Sequence, residues 1–152
     1  MRDVHDVSRV KRTFSFQLRR LRMIRRQLDH EVTSRLVSAL VLFRLDYCNA
    51  VFANLPGTTL EPLQRVQNAA ARLIFNLRPR DHLTDAFLQL HWLPVKFRIV
   101  FKLCLLTHMA LIGRAPLYMS QAIIPVANIQ SRASLRSATS GDLLVPSTRL
   151  KQ

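Results

Sequence analysis

The fold of this chain is set by residues 58–113, which read TTLEPLQRVQNAAARLIFNLRPRDHLTDAFLQLHWLPVKFRIVFKLCLLTHMALIG. Its first part predicts a helix that opens at Thr58, with Glu61 three residues later completing a capping box. Apolar residues then recur at the spacing of one helical face, at Leu60, Leu63, Val66, Ala70, Leu73, Ile74 and Leu77. A second helix is predicted from Pro94, a favoured first helical residue, to Gly113, a natural helix stop.

The second predicted helix is apolar nearly all round, which is typical of a helix buried on several sides. We therefore expect it to lie at the centre of the core. The connector before it carries His91-Trp92-Leu93-Pro94, and we expect Trp92 to be a hydrophobic plug rather than a residue that stacks on a base. The residues predicted to be buried together are Leu63, Val66, Leu73, Ile99, Leu103 and Leu106.

Helical patterns also precede this stretch. Apolar residues at helical spacing predict one amphipathic helix across residues 4–27. Asp29 is a predicted N-cap, and the apolar helical pattern that follows it stops at Pro56-Gly57. The predicted fold is all-α, a small helical bundle of about five helices. Residues 1–125 are expected to form the helical domain, and residues 126–152 an extended Ser/Arg-rich C-terminal arm.

The charge of the chain is strongly unbalanced. Its 152 residues include 23 Lys and Arg against 9 Asp and Glu, a net charge of +14. A field of this size opposes compaction by self-repulsion, so it indicates a polyanionic partner rather than a folding requirement. Most of the cations are Arg, whose planar fork suits bidentate phosphate contacts. Nucleic acid is therefore favoured over an anionic membrane surface.

The sequence offers no active site and no cofactor site. It contains no phosphate-binding loop, no dinucleotide fingerprint and no nucleophile elbow. Cys48 and Cys104 give neither a disulfide framework nor metal-type spacing, so we expect a reducing compartment, nuclear or cytoplasmic. The lone Asp46 is expected to pair with Arg44 or with a neighbouring helix. No apolar run approaches the ~20 residues of a spanning helix, and no leader is expected at the charged start, so no membrane partner is predicted.

Arginines repeat along the first predicted helix. Between Ser8 and Leu28 there are eight cations and no acid, whereas solvated helices normally mix charge signs to form i, i+4 pairs. A nucleic-acid contact and an ordinary solvated face remain equally open readings. We expect one stripe on this helix, and a second stripe, Arg65 and Arg72, opposite the apolar face of the following helix. The candidate nucleic-acid-binding residues are Arg12, Arg19, Arg22, Arg26, Arg65, Arg72, Arg98 and Lys102.

Several blocks in register resemble one known family. The segments RLDYCNA (44–50), LQRVQNAAARL (63–73) and LHWLPV (90–95) resemble the C-terminal region of reverse transcriptases of non-LTR retrotransposons, of the LINE-like, jockey type. Order and spacing agree from about Phe14 to Lys151. Further matches are APLY at 115–118 and VPSTRL at 145–150.

The resemblance implies a thumb-like and linker region, which is helical in that family and helps to hold template RNA and primer. The polymerase chemistry of the family uses palm aspartates, including an adjacent pair, to bind two divalent metals. No adjacent carboxylate pair occurs in this sequence, so no catalytic residue is carried over. We expect a noncatalytic fragment of an RNA-directed DNA polymerase, whose partners are an RNA template or RNA–DNA hybrid and the missing palm domain. The alternatives are a helical protein-interaction module or a nonfunctional retroelement remnant with an incidental basic face.

Overall fold

The architecture is all α-helical, as the sequence predicts. The structure is a computed structural model that describes residues 2–130 and 140–144. The α-helices of these residues are α1 (Arg2–Ile24), α2 (His30–Val37), α3 (Phe43–Cys48), α4 (Gly57–Phe75), α5 (Thr84–Gln89), α6 (Val95–Leu111) and α7 (Leu117–Ala122). Among them, helix length and hydropathy together leave no candidate for a bilayer-spanning helix.

The segment after α1 runs almost continuously helical as far as Phe52. Asp29 caps α2 as predicted, since its Oδ1 accepts from the backbone N–H of Val32 at 2.6 Å. A π-helical turn, Ser38–Leu42, then joins α2 to α3. Two successive side chains of this turn, Val41 and Leu42, are both buried in the core.

The start of α4 corrects the predicted capping box. The helix begins at Gly57 with Pro56 in the N-cap position, and no side chain caps it. Thr58 therefore lies inside the first turn rather than at the cap. Glu61 does not reach back to it, and instead accepts from the guanidinium of Arg65 at 2.6 Å. The chain enters this helix through the restricted backbone of proline rather than through a side-chain cap.

The end of α4 is a left-handed turn. Asn76 has φ of 54°, a conformation that Asn tolerates better than most residues. The N–H of Leu77 donates to the carbonyl of Arg72 at 3.0 Å, which closes the helix in the manner of a Schellman motif. The carbonyls of Leu73 and Ile74 are left without a helical partner.

The C-terminal end of α5, where the connector to α6 begins, is capped by the same kind of left-handed turn. His91 is left-handed with φ of 53°, and the N–H of Trp92 donates to the carbonyl of Phe87 at 2.8 Å. The Trp92 ring is buried and lies 6.2 Å from the Phe87 ring. This apolar contact commonly accompanies such a cap. The prediction that Trp92 is a hydrophobic plug is confirmed.

Polar side chains of α4 hold the same connector in place. Gln67 is fully buried, and its Nε2 donates to the carbonyl of Leu93 at 2.8 Å. Gln64 accepts from the N–H of Val95 at 2.8 Å through its Oε1. Its own Nε2 donates to Gln67 at 3.1 Å and to Asn68 at 2.9 Å. This network satisfies backbone groups at the start of α6, which would otherwise be costly to bury.

Two compact units make up the chain, residues 1–102 and residues 103–152. This division differs from the boundary after residue 125, which stays a prediction. In the first unit one continuous apolar core joins side chains from α1, α2, α3, α4 and α6. Of the predicted core, Leu63, Val66, Leu73 and Ile99 are buried within it, so this part of the prediction is confirmed.

The predicted position of α6 at the centre of the core is wrong. Val95 and Ile99 are buried, but Phe97, Val100 and Phe101 of the same unit are exposed. The core of that unit is already filled by apolar side chains of α1 to α4, so α6 has only one face to bury there. Leu103 is 39% exposed and Leu106 is only partly buried, so the prediction that these two residues are buried is wrong.

In the second unit Gly113 acts as the predicted helix stop. It has φ of 70°, and the N–H of Arg114 donates to the carbonyl of Met109 at 2.9 Å. An isolated antiparallel bridge joins Pro125 to Leu143. Within the predicted arm, Val126–Asn128 forms a 3-10 turn, while positions 131–139 and 145–152 lie outside the described residues.

Candidate nucleic-acid interface

A groove with a strongly basic lining runs between α1 and α4. Its first part, of about 250 Å³, lies between Arg19 of α1 and Arg65 of α4. Its second part, of about 580 Å³, continues past Arg22 towards Arg72. A third part, of about 460 Å³, extends over α1 around Arg12. We call these three parts together the basic groove, and its cations are Lys11, Arg12, Arg19, Arg22, Arg25, Arg26, Arg65 and Arg72.

Small residues of α4 explain how the groove forms. Ala70 and Ala71 are fully buried, and Ala69 lines both of the parts that lie between the helices. Because alanine projects little, α1 can approach α4 closely while the longer arginines project on either side. Of the described residues that line the basic groove, none is a carboxylate. No positive charge of the lining is therefore neutralised by another lining residue, although Arg65 pairs with Glu61 outside the lining.

The arginines predicted on the first helix do share one surface. Arg12, Arg19, Arg22 and Arg26 are all exposed and line the basic groove. The first three lie on α1, whereas Arg26 lies in the 3-10 turn, Arg25–Gln27, that follows it. Helical spacings of three, four and seven residues bring such side chains together, which is why the sequence could reveal them.

The predicted second stripe is not separate from the first. Arg65 and Arg72 line the basic groove, beside the apolar residues Val66 and Leu73 rather than opposite them. Arg65 is exposed and pairs with Glu61. Arg72 is half-buried, and its Nε has no hydrogen-bond partner among the described residues. The approach of α4 to α1 thus turns two expected stripes into one site.

Two candidate residues lie elsewhere. The Nε of Arg98 donates to Oδ1 of Asp46 at 3.2 Å, and the Arg98 side chain is only 16% exposed. Asp46 therefore pairs with a neighbouring helix, as predicted. Lys102 is half-buried on α6, and neither Lys102 nor Arg98 lines the basic groove. Their assignment as phosphate contacts stays a prediction from the sequence, and the pairing of Arg98 with Asp46 favours a structural role for that residue.

Arg25 is a groove residue that the sequence did not single out. Its Nε donates to the carbonyl of Leu73 at 3.0 Å, its Nη2 to that of Ile74 at 2.9 Å, and its Nη1 to that of Leu28 at 2.8 Å. Arg25 therefore satisfies the free carbonyls at the end of α4. Among eight similar cations, nothing in the sequence distinguishes it, because the distinction depends on where α4 ends. Lys11, which also lines the groove, was likewise missed.

An exposed aromatic ring accompanies the cations. Phe16 lines the third part of the basic groove together with Arg12 and Arg19. The guanidinium of Arg20 lies 5.8 Å from the centre of its ring. A basic surface that also carries an exposed aromatic ring can bind phosphates and stack a base at the same time. The available sequence signal was the position of Phe16 between the arginines of this helix.

A metal-binding cluster or a free thiol would give the described residues a chemistry other than phosphate binding. Within residues 2–130 and 140–144, no group of three or more His, Cys, Asp or Glu side chains is placed to hold a metal ion. Cys104 is a free, exposed thiol. No protein-family model, curated protein or solved structure matches this chain.

Proposed function

We propose that this chain is a noncatalytic, thumb-like element of a non-LTR retrotransposon reverse transcriptase that holds nucleic acid in the basic groove. The ligand is an RNA template or an RNA–DNA hybrid, and the compartment is nuclear or cytoplasmic. The observation that carries the proposal is the convergence of eight cations from α1, α4 and the turn after α1 on one groove. The resemblance of the sequence blocks to that family supports the same reading.

The dimensions of the groove suit a nucleic-acid backbone. From Arg12 to Arg26 the helical rise amounts to roughly 20 Å. A strand presents one charge per 3.4 Å or so of helix axis, so this length covers several consecutive phosphates. Guanidinium groups contact phosphates without reading bases, so binding is expected to be tolerant of sequence.

The proposed role is binding without catalysis. Nucleotide transfer by this family requires carboxylates that hold two metal ions, and the sequence contains no adjacent carboxylate pair. In the proposed arrangement the palm domain of the parent enzyme supplies the chemistry. The chain alone is expected to extend no primer with Mg²⁺ or Mn²⁺. Extension that persists after Asp46→Asn and repeated purification would contradict this part of the proposal.

A fluorescence titration against a labelled RNA–DNA hybrid at two salt concentrations tests the proposal. Replacing Arg19, Arg22 and Arg26 by Gln should weaken binding about equally for unrelated sequences. The logarithm of the binding constant falls linearly with the logarithm of the salt concentration. The steepness of this fall, the salt slope, should decrease by about one unit per lost contact. The matched control replaces Arg35, Arg80 and Arg114, three exposed arginines outside the groove lining, and removes the same charge.

The two triple variants separate a local site from a general charge effect. If the groove binds the backbone, only the groove variant should lose affinity and slope. Equal losses in both variants would show that net charge alone attracts the hybrid. Unchanged affinity and slope in the groove variant, with circular dichroism unchanged, would favour the helical interaction module with an incidental basic face.

One observation favours that second candidate. Phe97, Val100 and Phe101 form an exposed apolar face of α6 within the first unit. Apolar patches on isolated domains commonly mark contacts with other protein surfaces. In the parent enzyme this face would contact the missing palm domain. The two roles are compatible, because the face and the basic groove share no lining residue.

A further inference from the structure

A second groove lies on the opposite flank of α1. It has a volume of about 620 Å³ and lies between α1 and the helical segment that follows the π turn. We call it the apolar groove. Most of its lining is apolar or aromatic, contributed by Val10, Phe14, Phe43, Tyr47, Val51 and Phe52.

Three large side chains of this groove are exposed in a single row. Phe43, Tyr47 and Val51 are 67%, 89% and 73% exposed. They are four residues apart, so they follow one another along a helical face. Phe14 and Phe52 are buried and form the floor between this row and α1. Contiguous exposed apolar surface commonly marks a contact site.

The charge around the apolar groove identifies the kind of partner. Arg9 and Arg44 line it, and both are exposed. Of the described lining residues, none carries a negative charge. An occupant that covers the apolar row therefore comes close to two guanidinium groups that form no ion pair with a described carboxylate. Acidic groups beside an apolar face complement this arrangement, and basic groups oppose it.

We propose that the apolar groove binds an amphipathic helix of a partner protein, with an apolar face flanked by Asp or Glu. The row from Phe43 to Val51 rises roughly 12 Å, about two helical turns. A partner helix lying along it presents apolar residues at i, i+3, i+4 and i+7, the usual pattern of helix-in-groove recognition. This site is distinct from the basic groove, which is lined by eight cations and shares no lining residue with it.

Fluorescence anisotropy on the full chain tests the proposal with two synthetic peptides. Each is a helix of about five turns with Leu on one face. One peptide carries Glu on the flanks of this face, and the other carries Lys at the same positions. The Glu peptide should bind saturably at one site, and the Lys peptide should bind at least about tenfold more weakly, because it meets Arg9 and Arg44 with like charge.

Variants locate the site of binding. Phe43→Ser with Tyr47→Ser should weaken the Glu peptide at least about tenfold, as expected when anchors of a groove are removed. Leu88→Ser, at an exposed apolar residue of α5, is the matched control and should change nothing. Arg9→Gln with Arg44→Gln should reduce the difference between the two peptides. The Gln variant of Arg19, Arg22 and Arg26 should bind the Glu peptide normally.

The opposite results overturn the proposal. Absence of saturable binding, equal binding of both peptides, or full binding by the Phe43 and Tyr47 variant would each do so, provided that circular dichroism is unchanged. Loss of binding in the variant of Arg19, Arg22 and Arg26 would assign the peptide to the basic groove. Self-association in sedimentation experiments that Tyr47→Ser abolishes would identify a second copy of the chain as the occupant.

Discussion

The guanidinium of Arg25 donates to the carbonyl of Ile74 at 2.9 Å, across 49 residues of sequence. It also donates to the carbonyl of Leu73 at 3.0 Å. These carbonyls lie at the C-terminal end of α4, where the helix offers them no partner and where a positive charge complements the helix dipole. One arginine of the basic groove thus fastens the turn after α1 to the end of α4.

Replacing Arg25 by Gln should lower the free energy of unfolding by roughly 1.5–3 kcal/mol, because two charge-assisted hydrogen bonds to α4 are lost. Urea denaturation followed by circular dichroism measures this change. The neighbouring exposed Arg26→Gln is the control and should stay within about 0.5 kcal/mol of the unmodified chain. Equal costs for the two variants would show that the contact with α4 contributes nothing specific.

Gln67→Leu should destabilise the chain by about 1–3 kcal/mol despite the similar size of the two side chains, because the carbonyl of Leu93 loses its donor in a partly buried environment. The connector should loosen as well, with a red shift in the emission of the single Trp92. Gln89→Leu changes an exposed glutamine of α5 and should affect neither quantity. A stable Gln67→Leu variant with unshifted emission would contradict the role of this network.

Leu63→Ala should cost about 2–5 kcal/mol, since Leu63 is completely buried in the core. Leu103→Ala should cost about 0.5 kcal/mol or less, as is usual for exposed positions. Urea denaturation of both variants measures the difference. A cost for Leu103→Ala as large as that for Leu63→Ala would restore the expectation from the sequence that α6 lies at the centre of the core.

Arg98→Gln should act on stability rather than on nucleic-acid binding. Removing the partner of Asp46 in this partly buried pair should cost roughly 1–2 kcal/mol, between the values for exposed and buried ion pairs. The double change Arg98→Gln with Asp46→Asn should recover part of this loss. The salt slope for the RNA–DNA hybrid should be unchanged. A slope reduced by one unit would instead show that Arg98 contacts a phosphate of the nucleic acid.

Phe16→Ala should weaken the binding of a single-stranded oligonucleotide by roughly 1 kcal/mol or more, because a stacked base loses its platform. Binding of a duplex, whose bases are already stacked, should change less. Phe16→Trp should retain the single-strand affinity, and Leu88→Ala serves as the control at an exposed apolar position. Equal losses on single and double strands would show that the ring does not stack.

Most features that depend on neighbours in sequence could be predicted, although the capping box of Thr58 and Glu61 does not form. The cap at Asp29 and the stop at Gly113 follow from side-chain and backbone preferences within one turn of helix. The exposed arginines of α1 follow from helical spacing alone. Trp92 as a plug follows from its place beside a proline at the start of a helix.

Features that depend on which elements meet required the tertiary structure. Periodicity shows that α6 has apolar faces, but not that α1 to α4 already fill the core and leave Phe97 and Phe101 uncovered. Arg25 and Arg26 are equivalent in sequence. Only Arg25 donates to the free carbonyls of α4, which the sequence alone does not reveal. The convergence of Arg65 with the arginines of α1 likewise depends on close helix packing over Ala69. Local geometry thus decided where the helices lie in the sequence and which of their faces are polar. The burial of α6 was decided by how much of the core the other helices already fill, and the role of Arg25 by the unpaired carbonyls at the end of α4.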